Sequence, residues 1–286
     1  MVQSPPIAFS VDVEDYYQVQ AFEKTVSRDD WPRWESRVAQ NTDRLLEILA
    51  AAGARGTFFV LGWIAERYPA IVRAIVSAGH EVACHGWAHH LVSSQTPDEF
   101  AADVKRAVAA IEAAAPVRVE GYRAASFSIV RSSLWALDVL ADLGFRYDSS
   151  VFPIHHDRYG IPDFPRAPAV RRSGARGDFV EFPMSTARWW GRNLPLTGGG
   201  YFRLFPYPVV RWGIRRIQAE GLPTMIYIHP WEIDPEQPRV PSGTATRFRH
   251  RANLDRTESK LRRLLGEFPV TTARDAIRQA VNPRWP

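Results

Sequence analysis

The chain has 286 residues, 45% hydrophobic and 23% charged, which is enough apolar material for a large core and excludes a disordered chain. Lys and Arg number 36 against 31 Asp and Glu, a net charge of +5. Only Lys24, Lys105 and Lys260 are lysines, and the arginines are scattered without a dense run, so the charge does not mark a nucleic-acid partner. The single cysteine, Cys84, excludes an intrachain disulfide and a multi-cysteine metal cluster. Residues Met1 to Pro6 lack the basic-then-apolar pattern of a secretory leader, and no run approaches the ~18 apolar residues of a spanning helix. The expectation is a cytoplasmic chain with no membrane span.

In chain order, Ile7–Val11 reads as a strand, Asn41–Ala52 as a helix stopped by Gly53, and Thr57–Leu61 as a second strand. A helix near Ala70–Ala78 precedes a third strand, Glu81–Cys84. Thr96-Pro97-Asp98-Glu99 opens a long helix with an N-cap, a proline at the first helical position and acids in the first turn. Val119–Tyr122 is a fourth strand, Ser133–Leu143 a helix closed by Gly144, and Phe145–Tyr147 a short fifth strand. The rhythm breaks between Pro153 and Pro208, a stretch rich in Pro, Gly, Arg and aromatics that includes Trp189-Trp190 and Gly198-Gly199-Gly200. Long irregular segments of this kind are usually functional, and this one is expected to be a cap. Helix Val209–Glu220, buried strand Pro223–Ile228, a proline-rich loop and helices Asn253–Leu265 and Ala273–Ala280 complete the chain. The alternation argues for parallel βα units in one domain spanning 1–286, with an insertion at about 153–208 and a C-terminal extension at about 233–286.

The strands end on chemistry-bearing residues. The first ends on Asp12, with Glu14 and Asp15 behind it; the third on His85, followed by His89 and His90. The fourth ends on Arg123, the fifth on Asp148 and the last on His229. In parallel α/β folds the carboxyl ends of the strands share one face, where catalytic groups assemble. His85 and His89, four apart on a helical turn or a tight loop, can both face one ion, and with a carboxylate they suit Zn²⁺ or a similar divalent metal. Each residue taken alone has an ordinary explanation: a solvated acidic turn, a surface arginine, a packed histidine. Cys84 should alternate away from His85 and belong to the core.

These residues, in this order, resemble the polysaccharide deacetylase family, the NodB-homology domain of carbohydrate esterase family four. The resemblance is carried by Phe9-Ser-Val-Asp12-Val-Glu14-Asp15, His85-Gly-Trp-Ala-His89, Arg123-Ala-Ala-Ser-Phe127, Asp148 in Tyr-Asp-Ser-Ser, and Met225-Ile-Tyr-Ile-His229. It runs from Ile7 to Glu232, with 153–208 outside the common core. Three further segments, Gly198-Gly-Gly-Tyr-Phe-Arg203, His-Pro-Trp-Glu232 and the stretch from Asn253 to Leu265, are similar to bacterial deacetylases linked to exopolysaccharide export and protein-sorting loci.

The resemblance implies an α/β fold, a distorted (β/α)-barrel of about seven units, and removal of N-acetyl groups from amino sugars of a bacterial polysaccharide, an oligosaccharide or a precursor. It implies a divalent metal, Zn²⁺ first, on His85, His89 and either Glu14 or Asp15, with Asp15 favoured because an aspartate is the usual ligand type. Asp12, held ionised by Arg123, becomes the base, and His229, oriented by Asp148, becomes the acid. A backbone N–H near Ser126 faces the oxyanion, and Trp189, Trp190 and Trp231 offer stacking surfaces for sugar. The sequence departs from the family pattern in its Asp-Val-Glu-Asp spacing and at Ala125 and Ser126, where proline and tyrosine are usual. A cyclic amide or ureide hydrolase of the same fold and a non-catalytic carbohydrate binder are the alternatives; glycoside hydrolysis would leave the histidines without a role.

Overall fold

A computed structural model of the chain describes residues 4–174 and 177–285. Its strands are β1 (Ile7–Val13), β2 (Thr57–Val60), β3 (Glu81–Cys84), β4 (Gly121–Tyr122), β5 (Tyr147–Asp148), β6 (Ala169–Gly174), β7 (Gly177–Glu181), β8 (Ala187–Trp189), β9 (Arg192–Leu194) and β10 (Thr224–Ile228). The helices are α1 (Val38–Ala51), α2 (Gly62–Arg67), α3 (Pro69–Ser77), α4 (Pro97–Ala114), α5 (Trp135–Leu143), α6 (Gly199–Leu204), α7 (Tyr207–Ala219), α8 (Thr244–Arg251), α9 (Leu254–Glu267) and α10 (Ala273–Val281).

The sheet runs in the order β10-β1-β2-β3-β4-β5-β7-β6 and curls into a half-barrel. Its first seven members pair in parallel, and β6 returns antiparallel along the β7 edge. The seven parallel strands bear out the expected α/β fold. Strand alternation divides β1 between two cores. Ile7, Phe9, Val11 and Val13 join the large outer core beneath the helices, whereas Ala8 joins the inner cluster with Phe59, Ala83, Tyr147, Val180 and Tyr227. Cys84 lies in the outer core, as its offset from His85 requires.

Helix boundaries follow local chemistry. Thr96 and Glu99 form a reciprocal capping box at the start of α4, and Gly144 ends α5 in the left-handed conformation at φ 90°. Two sequence expectations are corrected here. The stretch 153–208 is not an irregular insertion outside the core. Its β7 pairs with β5, setting Tyr147 beside Val180 and Asp148 beside Glu181. Likewise 233–286 is not an appendage: Thr271 bridges Ala8, the Ala273 amide donates to Thr57, and Ala273, Ala276 and Ile277 fill the inner cluster. The part of it read as a proline-rich loop contains α8.

Candidate active site

At the carboxyl ends of the strands the even-numbered residues of β1 continue inward as Ser10, Asp12 and Glu14. Arg123, completely buried, crosses the half-barrel from β4. It donates to Asp12 Oδ1 at 2.6 Å and Ser10 Oγ at 2.8 Å, and to the Ser149 carbonyl at 3.1 Å, while its guanidinium lies 4.0 Å from the centre of the Phe59 ring. A guanidinium this deep needs such partners, since an unpaired buried charge is costly.

His85 and His89 are brought together by a tight loop. Gly86 and His89 take the left-handed conformation at φ 76° and 55°. The loop is anchored on both sides: Arg28 donates to the carbonyls of Ala88 and His89, and the Trp87 amide donates to Asp103. His85 Nδ1 lies 2.8 Å from the Arg123 carbonyl, which makes it the protonated nitrogen and leaves Nε2 as a lone pair. Burial pushes the His85 pKa down to about 4, so the ring is neutral, as a metal ligand must be.

Glu14 completes a cluster in which one ligand atom each from Glu14, His85 and His89 lies within 4.8 Å of the others. Its Oε2 is 3.0 Å from His89 Nε2 yet accepts no well-directed hydrogen bond, an orphaned buried oxygen. Burial opposes its charge, but His89 and His229 overcome that and hold its pKa down at about 2. Two imidazoles and an unsatisfied carboxylate are a donor set that fits a divalent cation such as Zn²⁺.

Asp15, favoured from the sequence as the third ligand, is turned the other way. Its Oδ2 accepts from Ser36 Oγ at 2.7 Å and from the amides of Arg37 and Val38 at 3.0 and 3.2 Å, so it caps the start of α1. The two-residue period of a strand places 12 and 14 on one face and 15 on the other, and the chain holds to it through Glu14.

His229 follows β10 and is the part of the site nearest solvent, its side chain 17% exposed. Its Nε2 lies 3.4 Å from Glu14, and its Nδ1 is 3.0 Å from Glu232 Oε2. Glu232, which the sequence reading left without a role, therefore orients it, and Asp148 does not. Asp148 instead accepts from the Ser150 amide and hydroxyl, facing Glu181 on the adjacent strand. Burial pushes the pKa of both carboxyls upward. Burial lowers the His229 pKa, but Glu14 and Glu232 more than offset this and raise it to about 9.

Behind His229, the three segments singled out in the sequence converge. Arg203 donates to Glu232 Oε1 at 3.1 Å and to the carbonyls of Arg249, His250 and Ala252; Asn253 and Lys260 donate back to the Arg203 carbonyl. Trp231 is likewise structural rather than a sugar platform. Only 5% exposed, it is sandwiched between His229 and His250, and its indole N–H points to Glu14 across 3.4 Å. Ser126 occupies a tight turn after Arg123, with Ser126 and Phe127 at φ 51° and 54°, and Phe127 packs against Tyr227 at 4.9 Å. Trp189 and Trp190 do not join this constellation: they stand 53% and 88% exposed on the β8–β9 hairpin.

Comparison with known proteins adds two matched regions. Residues 25–147 match the family described as polysaccharide deacetylase, and 149–278 match a domain of unknown function, DUF3473. The first match starts after β1, so Asp12 and Glu14 enter on geometry alone; His229, Glu232 and Arg203 fall in the second. A chitooligosaccharide deacetylase of a Bradyrhizobium species is 34% identical over 100 residues, covering 35% of this chain and 43% of the relative. A peptidoglycan-N-acetylglucosamine deacetylase of Bacillus cereus is 32% identical over 78 residues, 27% of this chain and 26% of the relative. The matched stretch thus spans less than half of either relative. Among solved structures, a Mycobacterium smegmatis protein assigned as a polysaccharide deacetylase superposes with a TM-score of 0.66 at 20% identity, covering 97% of this chain and 90% of the other. A Pseudomonas aeruginosa protein assigned in the same way gives a TM-score of 0.61 at 14% identity over 96% and 89%. At these identities the superpositions speak for the fold.

Proposed function

We propose, from the match of residues 25–147 to the polysaccharide deacetylase family, that the chain hydrolyses N-acetyl groups on amino sugars of a bacterial polysaccharide, an oligosaccharide or a precursor. The observation that carries this reading is the orphaned Glu14 carboxylate between His85 and His89, flanked by an arginine-locked aspartate on one side and a carboxylate-backed histidine on the other. A binding module requires neither flank.

Glu14, His85 and His89 are the residues that would hold a divalent metal, Zn²⁺ being best matched to two imidazoles and one carboxylate. When bound, that ion supplies Lewis acidity to the acetamide carbonyl and acidifies water. The chain's own groups do the proton work. Asp12, fixed by Arg123, takes a proton from the attacking water, whose oxygen bonds to the acetamide carbon. As the C–N bond breaks, His229 delivers its proton to the nitrogen, so that an amine leaves rather than an amide anion. Acetate remains, and the protons on Asp12 and His229 return to their starting places through solvent. Glu232 keeps His229 in the correct tautomer and stabilises its charged form, while Arg203 holds Glu232 ionised. Negative charge on the carbonyl oxygen would be met by a backbone N–H of the Ser126 turn. Phe127, Phe152 and Tyr159 pack together beside this turn, with Phe152 and Tyr159 stacked at 6.0 Å.

The test is acetate release from acetylated glucosamine oligomers by metal-loaded and chelator-treated protein. Release that depends on added divalent metal supports the reading, whereas no release from any acetylated amino sugar by protein carrying one metal equivalent refutes it.

A further inference from the structure

We propose that the face built by the β8–β9 hairpin, α6 and the start of α7 docks the protein onto an anionic lipid bilayer, a role that goes beyond the deacetylase reading and does not depend on it. Trp190 and Gly191 form the two-residue hairpin turn at φ 48° and 77°. A left-handed backbone at a tryptophan is a strained choice, and here it leaves Trp190 88% exposed, its ring 5.5 Å from that of Trp189. Beside it lies an apolar groove of about 620 Å³ lined by Trp189, Leu194, Leu196, Phe205, Val209 and Trp212. Trp212, Phe205 and Leu204 are 41%, 37% and 44% exposed. Continuous apolar surface of this kind on a folded chain marks an interaction face.

The charges around it select the partner. Arg188 and Arg192, on the same hairpin, line a second cavity of about 1030 Å³ together with Arg166 and His155. Among the described residues no carboxylate pairs with Arg188 or Arg192, and the single acid lining that cavity, Asp163, is engaged by Arg131. On α7, Arg211 and Arg215 share Glu267 and Arg216 reaches Glu220, leaving the face with more guanidinium than carboxylate. A second copy docking through the same patch would bring arginine to arginine with too few acids to offset them. A sugar chain would find one hydroxyl, that of Tyr201, along the groove wall. A phospholipid surface suits both halves at once. Tryptophans settle at the depth of the headgroups, apolar side chains enter the acyl boundary, and free guanidinium groups meet phosphate. No helix among the described residues is long and apolar enough to cross a bilayer, so such binding would be peripheral.

The experiment is co-sedimentation of the whole chain with vesicles of phosphatidylcholine alone and of phosphatidylcholine mixed with phosphatidylglycerol. The protein should pellet with the mixed vesicles at low salt and be released as salt rises. Arg188→Gln with Arg192→Gln should lower partitioning by roughly tenfold or more, and Trp189→Ala with Trp190→Ala by about tenfold. Neither pair removes a core contact, and acetate release from a short soluble sugar should stay at the wild-type rate. The proposal is overturned if the chain stays in the supernatant at low salt, or if neither pair changes the pelleting. It is equally overturned if Trp190→Ala abolishes a dimer seen by sedimentation velocity while vesicles bind nothing. A raised KM for soluble sugar in the tryptophan pair, with partitioning unchanged, would assign the face to substrate instead.

Discussion

Two glutamates at opposite ends of the half-barrel, Glu14 and Glu81, are both almost completely buried and yet behave in opposite ways. At the amino-terminal end of the strands, Glu81 is surrounded by neutral donors. Thr57 Oγ1 at 2.5 Å, Tyr147 Oη at 2.9 Å and the Arg274 amide at 3.1 Å satisfy its oxygens, and burial raises its pKa. The last part of the chain seals this end, with α10 over the inner cluster and Trp285 against Tyr147. At the carboxyl end, Glu14 meets imidazoles, keeps one oxygen without a hydrogen bond, and is held down at about 2. Burial is common to both; the partners decide. A carboxylate among satisfied donors is a structural plug, and one left charged and incompletely bonded is a site for a cation.

The largest expected effects lie at the imidazole end. His85→Ala or His89→Ala should abolish metal binding, read by elemental analysis, and lower acetate release by about 10³-fold or more, since Lewis-acid stabilisation is worth several kcal/mol. Retention of metal by either folded variant would break the comparison. Asp12→Asn comes next: metal should stay while the rate falls by ~10²–10⁴-fold, the worth of a general base.

Glu232→Gln should act more gently, costing about 10–100-fold with metal retained. It carries a pH signature besides. Glu232 helps to raise the His229 pKa to about 9, so the acid form, and activity with it, is lost as pH climbs through that value. Removing the carboxylate lowers the pKa, and the alkaline limb of the rate profile should move to lower pH. An unmoved limb would mean that Glu232 is structural only.

The smallest effects belong to Glu81 and leave activity per folded molecule alone. Because its folded pKa is raised, its contribution is present at low pH and is lost as pH rises through that value. Glu81→Gln should therefore cost little stability near neutrality and flatten the pH dependence of Tm, whereas Glu81→Ala should cost about 1–3 kcal/mol by orphaning buried donors. Loss of metal in Glu81→Gln would erase the distinction between the two ends.

Much of the site could be read from strands that end on polar residues, because an apolar run signals both its own burial and where it stops. The alternation of β1 also held the answer at Asp15: positions 8, 10, 12 and 14 share the inner face, but analogy of residue type pointed to the aspartate. Its true partners, Ser36, Arg37 and Val38, come more than twenty residues later, and no local pattern announces them. Glu232 was closer to hand, three residues after His229, the same spacing that its hydrogen bond to the His229 amide now explains. Asp148 misled because a strand-end acid looks the same whether it backs a histidine or faces a second acid, here Glu181 on the adjacent strand. β7 was hidden by its Pro- and Gly-rich surroundings, although Phe179 and Val180 are core residues. α8 was missed because its sequence, rich in Thr and Arg, has almost no apolar face.

The central claim is that Glu14, and not its neighbour Asp15, is the carboxylate of a metal centre. Metal content of purified Glu14→Gln and Asp15→Asn proteins, measured side by side after equilibration with Zn²⁺ and gel filtration, tests it most directly. The account predicts about one equivalent in wild type and in Asp15→Asn, whose loss should be confined to roughly 1 kcal/mol of helix-cap stability, and none in Glu14→Gln. Full metal in Glu14→Gln together with none in Asp15→Asn would contradict it.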